Sequence, residues 1–491
     1  MTDIPVDLLR RQALRILMPG VAGTVLPDWF AALLRDGLGA VCLYGDNVDD
    51  PAQVAALTAS ISAANPQAII SMDEEGGDVS RLHQHTGSPF PGNAVLGRLD
   101  DVATTCAVGH QVGAQLAGVG IHLALAPDAD VNSNPDNPVI GVRSFGSDQA
   151  AVARHTAAWI DGIQSAGVAA CAKHFPGHGD TSVDSHLAEP VVTADARTLA
   201  ARELLPFRAA IAAESRTIMT SHIRVPALDP NRVATFSPSI LHGLLREKLG
   251  FGGAIVTDAL DMAGASRELG VPGAAVAAVL AGADLLCLGP DTPESEIHSV
   301  IEALLGAVDA ERLPLSRLAD AGNRCAELAA WVHRHGADPP VPQVDPTKDV
   351  VVTPRRIAAT FSLSEHARSL LADRKRHVRW VKIDPQPNAA IGTTPFGPFY
   401  DGGAVATLDV PVGDRATADT YVDEPGALTV IVGRELHRDE GAASAARSIV
   451  ARSDAIVVDM GFADEDSVDI ATFGASRLVG QALIELVEGG R

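Results

Sequence analysis

Cysteine is scarce and unpatterned in this chain. The five cysteines, Cys42, Cys106, Cys171, Cys287 and Cys325, are scattered, odd in number and never spaced C-x-x-C. That argues against a disulfide framework and a zinc knuckle, and it fits a reducing compartment. Basic residues are also short: Lys and Arg number 38 against 61 Asp and Glu, for a net charge of −23. Such a surface repels phosphate backbones, so no nucleic-acid partner is expected. The basic run Arg374-Lys375-Arg376 reads as a solvated patch. No run of about 18 apolar residues occurs, which leaves no membrane-spanning helix to expect. The N-terminal stretch MTDIPVDLLRRQALRILMPG is broken by Arg10 and Arg11 and has no apolar core of secretory length. The expected location is therefore the cytoplasm.

Hydrophobic residues make up 46% of the 491 positions and charged residues 20%, as in a soluble globular protein. The length suits two or three domains. Eight short apolar runs recur: 16–18, 40–43, 68–72, 121–125, 168–171, 217–220, 254–257 and 285–288. Their hydrophobicity is continuous rather than alternating, which suits strands buried on both faces of a parallel sheet. Helical stretches lie between them. Asp50-Pro51 places a capping side chain before a proline at the first helical position, and Val54, Leu57 and Ile61 then share a face. Similar stretches cover 150–166, 197–213, 239–248 and 293–306. Eight strand–helix repeats predict an α/β fold, a (β/α)8 TIM-like barrel over residues 1–335. A doubly wound sheet is disfavoured because no G-x-G-x-x-G follows the first run, and no cofactor is expected. Residues 336–349 are rich in proline and read as a linker. Runs at 378–381, 428–432 and 456–458, with a closing helix that puts Val479, Leu483, Leu486 and Val487 on one face, predict a smaller C-terminal α/β domain over 350–491, an αβα sandwich. Composition sets no oligomeric state.

In a (β/α)8 barrel the active site forms at the C-terminal strand ends. Polar residues follow every run from the third to the seventh. They are Asp73 to Gly77 with Arg81; Asp128, Asp130 and a loop carrying Arg143; Lys173 to Asp180 with Asp184-Ser185-His186; Ser221, His222 and Arg224; and Asp258. Asp258 alone reads as a helix cap. In the barrel frame it becomes a carboxylate aimed into the bowl, suited to act as a nucleophile or to stabilise positive charge.

The segment 173–186 holds three histidines and two aspartates and leaves three readings open. Asp184 could orient His186 for acid–base work. His174, His178 and His186 with Asp180 or Asp184 could hold a metal, although the spacing is a weak signature and none is expected. The set could also be structural, the Gly-His-Gly core cradling a phosphate being a minor variant. Lys173, Arg81 and Arg143 either pair with acids at the rim or supply donors to a polar ligand, and Asp73 adds an acceptor for hydroxyls.

These segments together resemble glycoside hydrolase family 3, in its β-N-acetylhexosaminidase branch. The motifs are DEEGGDVSR from Asp73 to Arg81, KHFPGHGDTSVDSH from Lys173 to His186, ADVNSNPDNPVIGVRSFG and VTDALDM. The resemblance covers about residues 10–335; the C-terminal domain looks like one that some members append. It implies a retaining exo-β-N-acetylglucosaminidase with Asp258 as nucleophile, His186 as acid/base and Asp184 as its partner. It implies that Asp73, Arg81, Arg143, Lys173 and His174 hold the sugar, and that Glu74 and Asp78 fill variable positions. The implied partner is a small carbohydrate, a β-N-acetylglucosaminide such as a cell-wall muropeptide fragment. A neutral imidazole in place of a carboxylate acid/base does not repel anions, so phosphate is a second candidate acceptor. The competing functions are a phosphorylase or broad β-glucosidase on the same scaffold, a metal-dependent hydrolase, and a silent sugar-binding protein.

Overall fold

The computed structural model describes residues 6–182, 189–336, 351–373, 376–386, 390–392, 394–463 and 467–489. Asp184 and His186, and nearly all of the proline-rich stretch, lie outside them. The chain divides into two compact units. One comprises Met1–Glu74, Thr105–Ile140 and Ser147–Asp345; the other comprises Glu75–Thr104, Gly141–Gly146 and Pro346–Arg491.

In the first unit all eight apolar runs become strands: β1 Leu17–Met18, β2 Ala40–Leu43, β3 Ile69–Met72, β4 Leu123–Ala124, β5 Ala169–Phe175, β6 Thr217–Thr220, β7 Ala254–Val256 and β8 Leu286–Cys287. Parallel ladders join β2 through β7 in chain order. Single parallel bridges, Gly20 with Cys42 and Val256 with Leu285, carry the ladder to β1 and β8. The ring then closes where Leu17 pairs with Leu286 and Met18 with Cys287. The result is the expected eight-stranded parallel barrel. Every strand residue in it is buried, which explains why the runs are continuous rather than alternating.

Helices fill the crossovers. Pro51–Ala64 starts where Asp50 accepts a 2.8 Å bond from Gln53 N, and it buries Val54, Leu57 and Ile61. Gln149–Ser165 is capped by Asp148 and buries Val152, Trp159, Ile160 and Ile163. Each large apolar side chain so buried contributes about 1.5–3 kcal/mol. Two features depart from expectation. The stretch 197–213 is not one helix but two, Ala196–Ala201 and Leu204–Ala212. Pro206 has no N–H to return to the carbonyl of Arg202, so a continuous ladder fails there. And β5 does not stop at Cys171 but continues through Lys173 and His174 to Phe175. Two polar residues at its end are tolerated because each has an acidic partner, described below.

Asp284, fully buried just before β8, anchors the closure. Its carboxylate accepts from Ile255 N at 2.9 Å and Arg246 Nη2 at 2.6 Å, and it pairs with Arg317. Burial pushes its pKa up, against the pull of the two arginines.

The second unit contains a six-stranded sheet. Its strands are β9 Ser362–Leu363, β10 Val378–Ile383, β11 Ala406–Val410, β12 Leu428–Gly433, β13 Ala455–Asp459 and β14 Ile470–Ala471, in the spatial order β9-β14-β13-β12-β10-β11. Only the β9–β14 pair is antiparallel. Val381, Ile383 and Ile431 pack with Ala442, Ala445, Ala446 and Ile449 of the helix Glu440–Val450. Trp380, Val430 and Val432, of opposite parity, are buried too, so the sheet is covered on both faces. The closing helix, Arg477–Glu488, buries Val479, Leu483 and Val487 as its periodicity predicts, while Leu486, expected on the same face, is only half-buried.

Replacing Asp284 by alanine leaves Arg246 and Arg317 without their shared carboxylate. Loss of a buried partner of this kind costs about 3–5 kcal/mol. A urea titration of Asp284→Ala is expected to show that loss as a lowered midpoint with an unchanged slope.

Candidate functional site

The chemistry of the first unit collects at the C-terminal ends of its strands. Asp73 follows β3 directly, and its Oδ1 lies 2.6 Å from Lys173 Nζ near the end of β5. The lysine side chain is 3% exposed and the aspartate 19%, so the pair faces little water while the carboxylate keeps an open side. Asp128 and Asp130 follow β4 and are fully buried.

Asp130 organises the site. Its carboxylate accepts from three donors: His174 Nδ1 at 2.7 Å, His174 N at 3.2 Å and His178 N at 2.6 Å. Its own N–H donates to Asp128 Oδ1 at 2.9 Å. Burial alone pushes the Asp130 carboxyl up, but the bonds and charge of His174 and the nearby His178 hold it below its usual range. A carboxylate only accepts, so His174 donates from Nδ1 and its ring orientation is fixed.

The sequence PGHG then has a packing reason. Gly177 has φ +127°, and a Cβ on Gly179 would stand 1.8 Å from Val131 O. His178 is buried, with Nδ1 2.9 Å from Thr181 Oγ1. Burial pushes its imidazole down to about 4, against the pull of Asp130. Asp180 pairs with Arg202 at 2.6 Å, and Arg202 Nε lies 2.5 Å from Glu203 Oε1. Burial lifts Glu203 to about 7, with Arg202 opposing. His178 and Asp180 are thus each engaged with other protein groups; His186 and Asp184, also members of the metal set named from sequence, lie outside the described residues. The donor cluster that does form is Asp128, Asp130 and His174, with atoms within 4.8 Å of one another. The short His174–Asp130 bond accounts for its compactness.

Asp258 lies two residues beyond Val256, the last residue of β7. It does not cap the next helix, Ala263–Ala281, whose N-cap is Met262. Its Oδ1 instead accepts from Ala259 N at 2.8 Å. The Cys171 thiol, inside the barrel, registers the neighbourhood. Burial pushes it to about 12, with Asp73 and Asp258 adding to the rise and Lys173 opposing it. Asp73, Lys173, His174 and Asp258 all lie at or just beyond the C-terminal ends of strands in the one parallel barrel.

Arg81 and Arg143 belong to the other unit. There Arg143 forms a two-pronged buried pair with Glu75, Nε to Oε2 at 3.0 Å and Nη2 to Oε1 at 2.8 Å. Arg81 donates to the carbonyls of Ala390 and Ile391. Asp78, at a position read as variable, is buried and accepts from Ala475 N at 2.7 Å. Asp130 was visible in the sequence only as one polar residue behind the fourth run. The D-x-D pattern at 128–130 was the available signal, since two buried carboxylates at a strand end demand partners.

A closed parallel barrel with carboxylates, a lysine and an oriented histidine at its C-terminal strand ends has its chemistry where barrel active sites form. The chain matches the glycosyl hydrolase family 3 N terminal domain over residues 21–328 and belongs to that family of glycoside hydrolases. It is 35% identical over 334 residues to beta-hexosaminidase A of Pseudoalteromonas piscicida, a match covering 62% of this chain and 56% of that protein. It is 33% identical to a beta-hexosaminidase of Nitrosomonas eutropha, over 65% of this chain and 92% of the other. Among solved structures it is similar to a family 3 beta-N-acetylglucosaminidase from Paenibacillus sp., at 29% identity and a TM-score of 0.87, covering 98% of this chain and 96% of that one.

The depressed His178 has a consequence for stability. A histidine that resists protonation when folded, about 4 against an ordinary 6.5, contributes stability in full above pH 6.5. That contribution is lost as pH falls from 6.5 toward 4, because the unfolded chain binds the proton first. Unfolding free energy measured by urea is expected to drop by as much as about 3 kcal/mol across this window. His122, also pushed down to about 4 by burial, adds to the same slope. His178→Asn is expected to flatten it.

Proposed function

We propose that this chain is a retaining exo-β-N-acetylglucosaminidase that releases terminal β-linked N-acetylglucosamine from small glycosides. One observation carries the reading: the KHFPGHG segment sets Lys173 against Asp73 and orients His174 on Asp130, at the rim that also carries Asp258. The beta-hexosaminidase names of the relatives and the N-acetylglucosaminidase name of the similar structure support the substrate class.

In this scheme Asp258 attacks the anomeric carbon and forms a covalent glycosyl-enzyme, while His186, oriented by Asp184, protonates the departing oxygen. Water, deprotonated by the same histidine, then releases the sugar with its configuration retained. Asp73 and Lys173 hold hydroxyls as acceptor and donor, and His174, Arg81 and Arg143 complete the sugar-binding set. The catalytic barrel is taken as residues 1–335 and the appended domain as 350–491. Cell-wall muropeptide fragments are the proposed natural substrates, met in the cytoplasm; five free cysteines, four of them buried, fit that compartment.

The test is release of 4-nitrophenol from its β-N-acetylglucosaminide in the presence of chelator. Wild type is expected to turn over and Asp258→Ala to lose at least about 10³-fold, with its melting temperature kept. Near-normal release by the folded variant would remove Asp258 from the nucleophile role. NMR of the first-formed sugar anomer checks retention, and phosphate-dependent formation of a sugar 1-phosphate would instead mark a phosphorylase. A second variant addresses the acid. His186→Ala is expected to slow alkyl glycosides far more than aryl ones, since good leaving groups need little protonation. Equal losses on both would remove His186 from that role.

A further inference from the structure

The mechanism above leaves one buried histidine on this rim unused. His222 lies two residues past β6 and is 0% exposed. Both of its ring nitrogens are engaged: Nε2 lies 3.0 Å from Ala259 O and Nδ1 lies 2.9 Å from Thr235 Oγ1. A carbonyl can only accept, so Nε2 carries the proton. Thr235 is itself pinned, with its hydroxyl 2.9 Å from Ser221 O and 2.8 Å from Thr220 Oγ1. The ring is further backed by Phe236, stacked at 6.4 Å with an interplanar angle of 28°.

Ala259 is the residue after Asp258, and its N–H is the one that Asp258 Oδ1 accepts. Its main chain is therefore held at both ends, the N–H by Asp258 and the carbonyl by His222. The carbonyl also receives Met262 N at 3.2 Å, and Leu260 N reaches Cys287 O at 2.9 Å. Two of these holds on the turn come from side chains, that of Asp258 from within the turn and that of His222 from the neighbouring strand's loop.

We propose that His222 is a positioning residue for Asp258: by donating from Nε2 to Ala259 O it fixes the turn whose N–H aims the Asp258 carboxylate. This rests on the nucleophile assignment made above. His222 takes no proton from substrate, since both nitrogens are committed within the protein. Its effect is geometric, and a displacement of about 1 Å at a reacting group can cost about 10²-fold in rate.

Two amide replacements separate the ring's two contacts. The glutamine amide reaches roughly to the Nε2 position and can keep the bond to Ala259 O. The shorter asparagine amide reaches only to the Nδ1 position, keeps Thr235 in range and drops Ala259. On the aryl β-N-acetylglucosaminide, His222→Asn is expected to lower kcat by about 10- to 100-fold, with the inhibition constant of N-acetylglucosamine within about 3-fold of wild type. His222→Gln is expected to recover most of that loss, and neither variant should move the pH profile. Equal kcat losses in both, tracking a fall in melting temperature, would show a packing role only and overturn the proposal. So would wild-type kcat in His222→Asn, or a shifted pH optimum.

Trapping the glycosyl-enzyme with a 5-fluoro N-acetylglucosaminyl fluoride and mapping the labelled peptide separates the two layers. A label on Asp258 with indistinguishable Asn and Gln variants overturns the role of His222 alone. A label elsewhere overturns the nucleophile assignment and, with it, this inference.

Discussion

Closure of the parallel ladder between Leu17-Met18 and Leu286-Cys287 is the constraint on which the barrel unit depends. A parallel strand cannot be left at an edge without unpaired main-chain groups, and ring closure removes both edges at once. It also forces all eight strands to end on the same rim. The segments after Met72, Ala124, Phe175, Thr220 and Val256 are brought together for that reason, although they lie as much as 184 residues apart in the chain. Asp284, buried between two arginines beside the last strand, secures the end of the ring that the chain reaches last.

The rim concentrates polar groups where water is excluded, and nearly every one is compensated by another. Lys173 answers Asp73, Asp130 collects three donors, and His222 joins the turn of Asp258 to Thr235. Buried groups of this kind add little net stability, because desolvation offsets their attraction. What they provide is a fixed orientation. His174 presents one face, and the Asp258 carboxylate has one main-chain donor in the adjacent turn. A rim of this kind gains more from such rigidity than from binding strength alone.

Much of this was legible beforehand. Seven of the eight apolar runs contain their strands, the Asp50 cap is made as read, and the closing helix buries Val479, Leu483 and Val487. The misreadings have local causes. The strand through Lys173 and His174 looked finished at Cys171, because a charged residue normally ends a buried run, and the partners that permit it are on other strands. The apolar spacing over 197–213 suits one helix, but Pro206 divides it. The short strands at 362–363, 406–410 and 470–471 lack an uninterrupted apolar run and were not anticipated. In the sequence Asp130 and His222 are only polar residues at strand ends, because their partners lie on other segments.

The amino-acid sequence by itself determined periodicity, strand count and the residue types that arrive at the rim. Those properties are local, set by the spacing of apolar side chains and by motifs of a few residues. The tertiary structure alone decided which polar group meets which. The deciding contacts join residues 100 apart for Lys173 and Asp73, 44 apart for His174 and Asp130, and 37 apart for His222 and Ala259. A hydrogen bond depends on distance and direction to within a few tenths of an ångström. Only the closed barrel fixes those coordinates, and with them the proton on His174 Nδ1 and the pull of the rim's charges on one another.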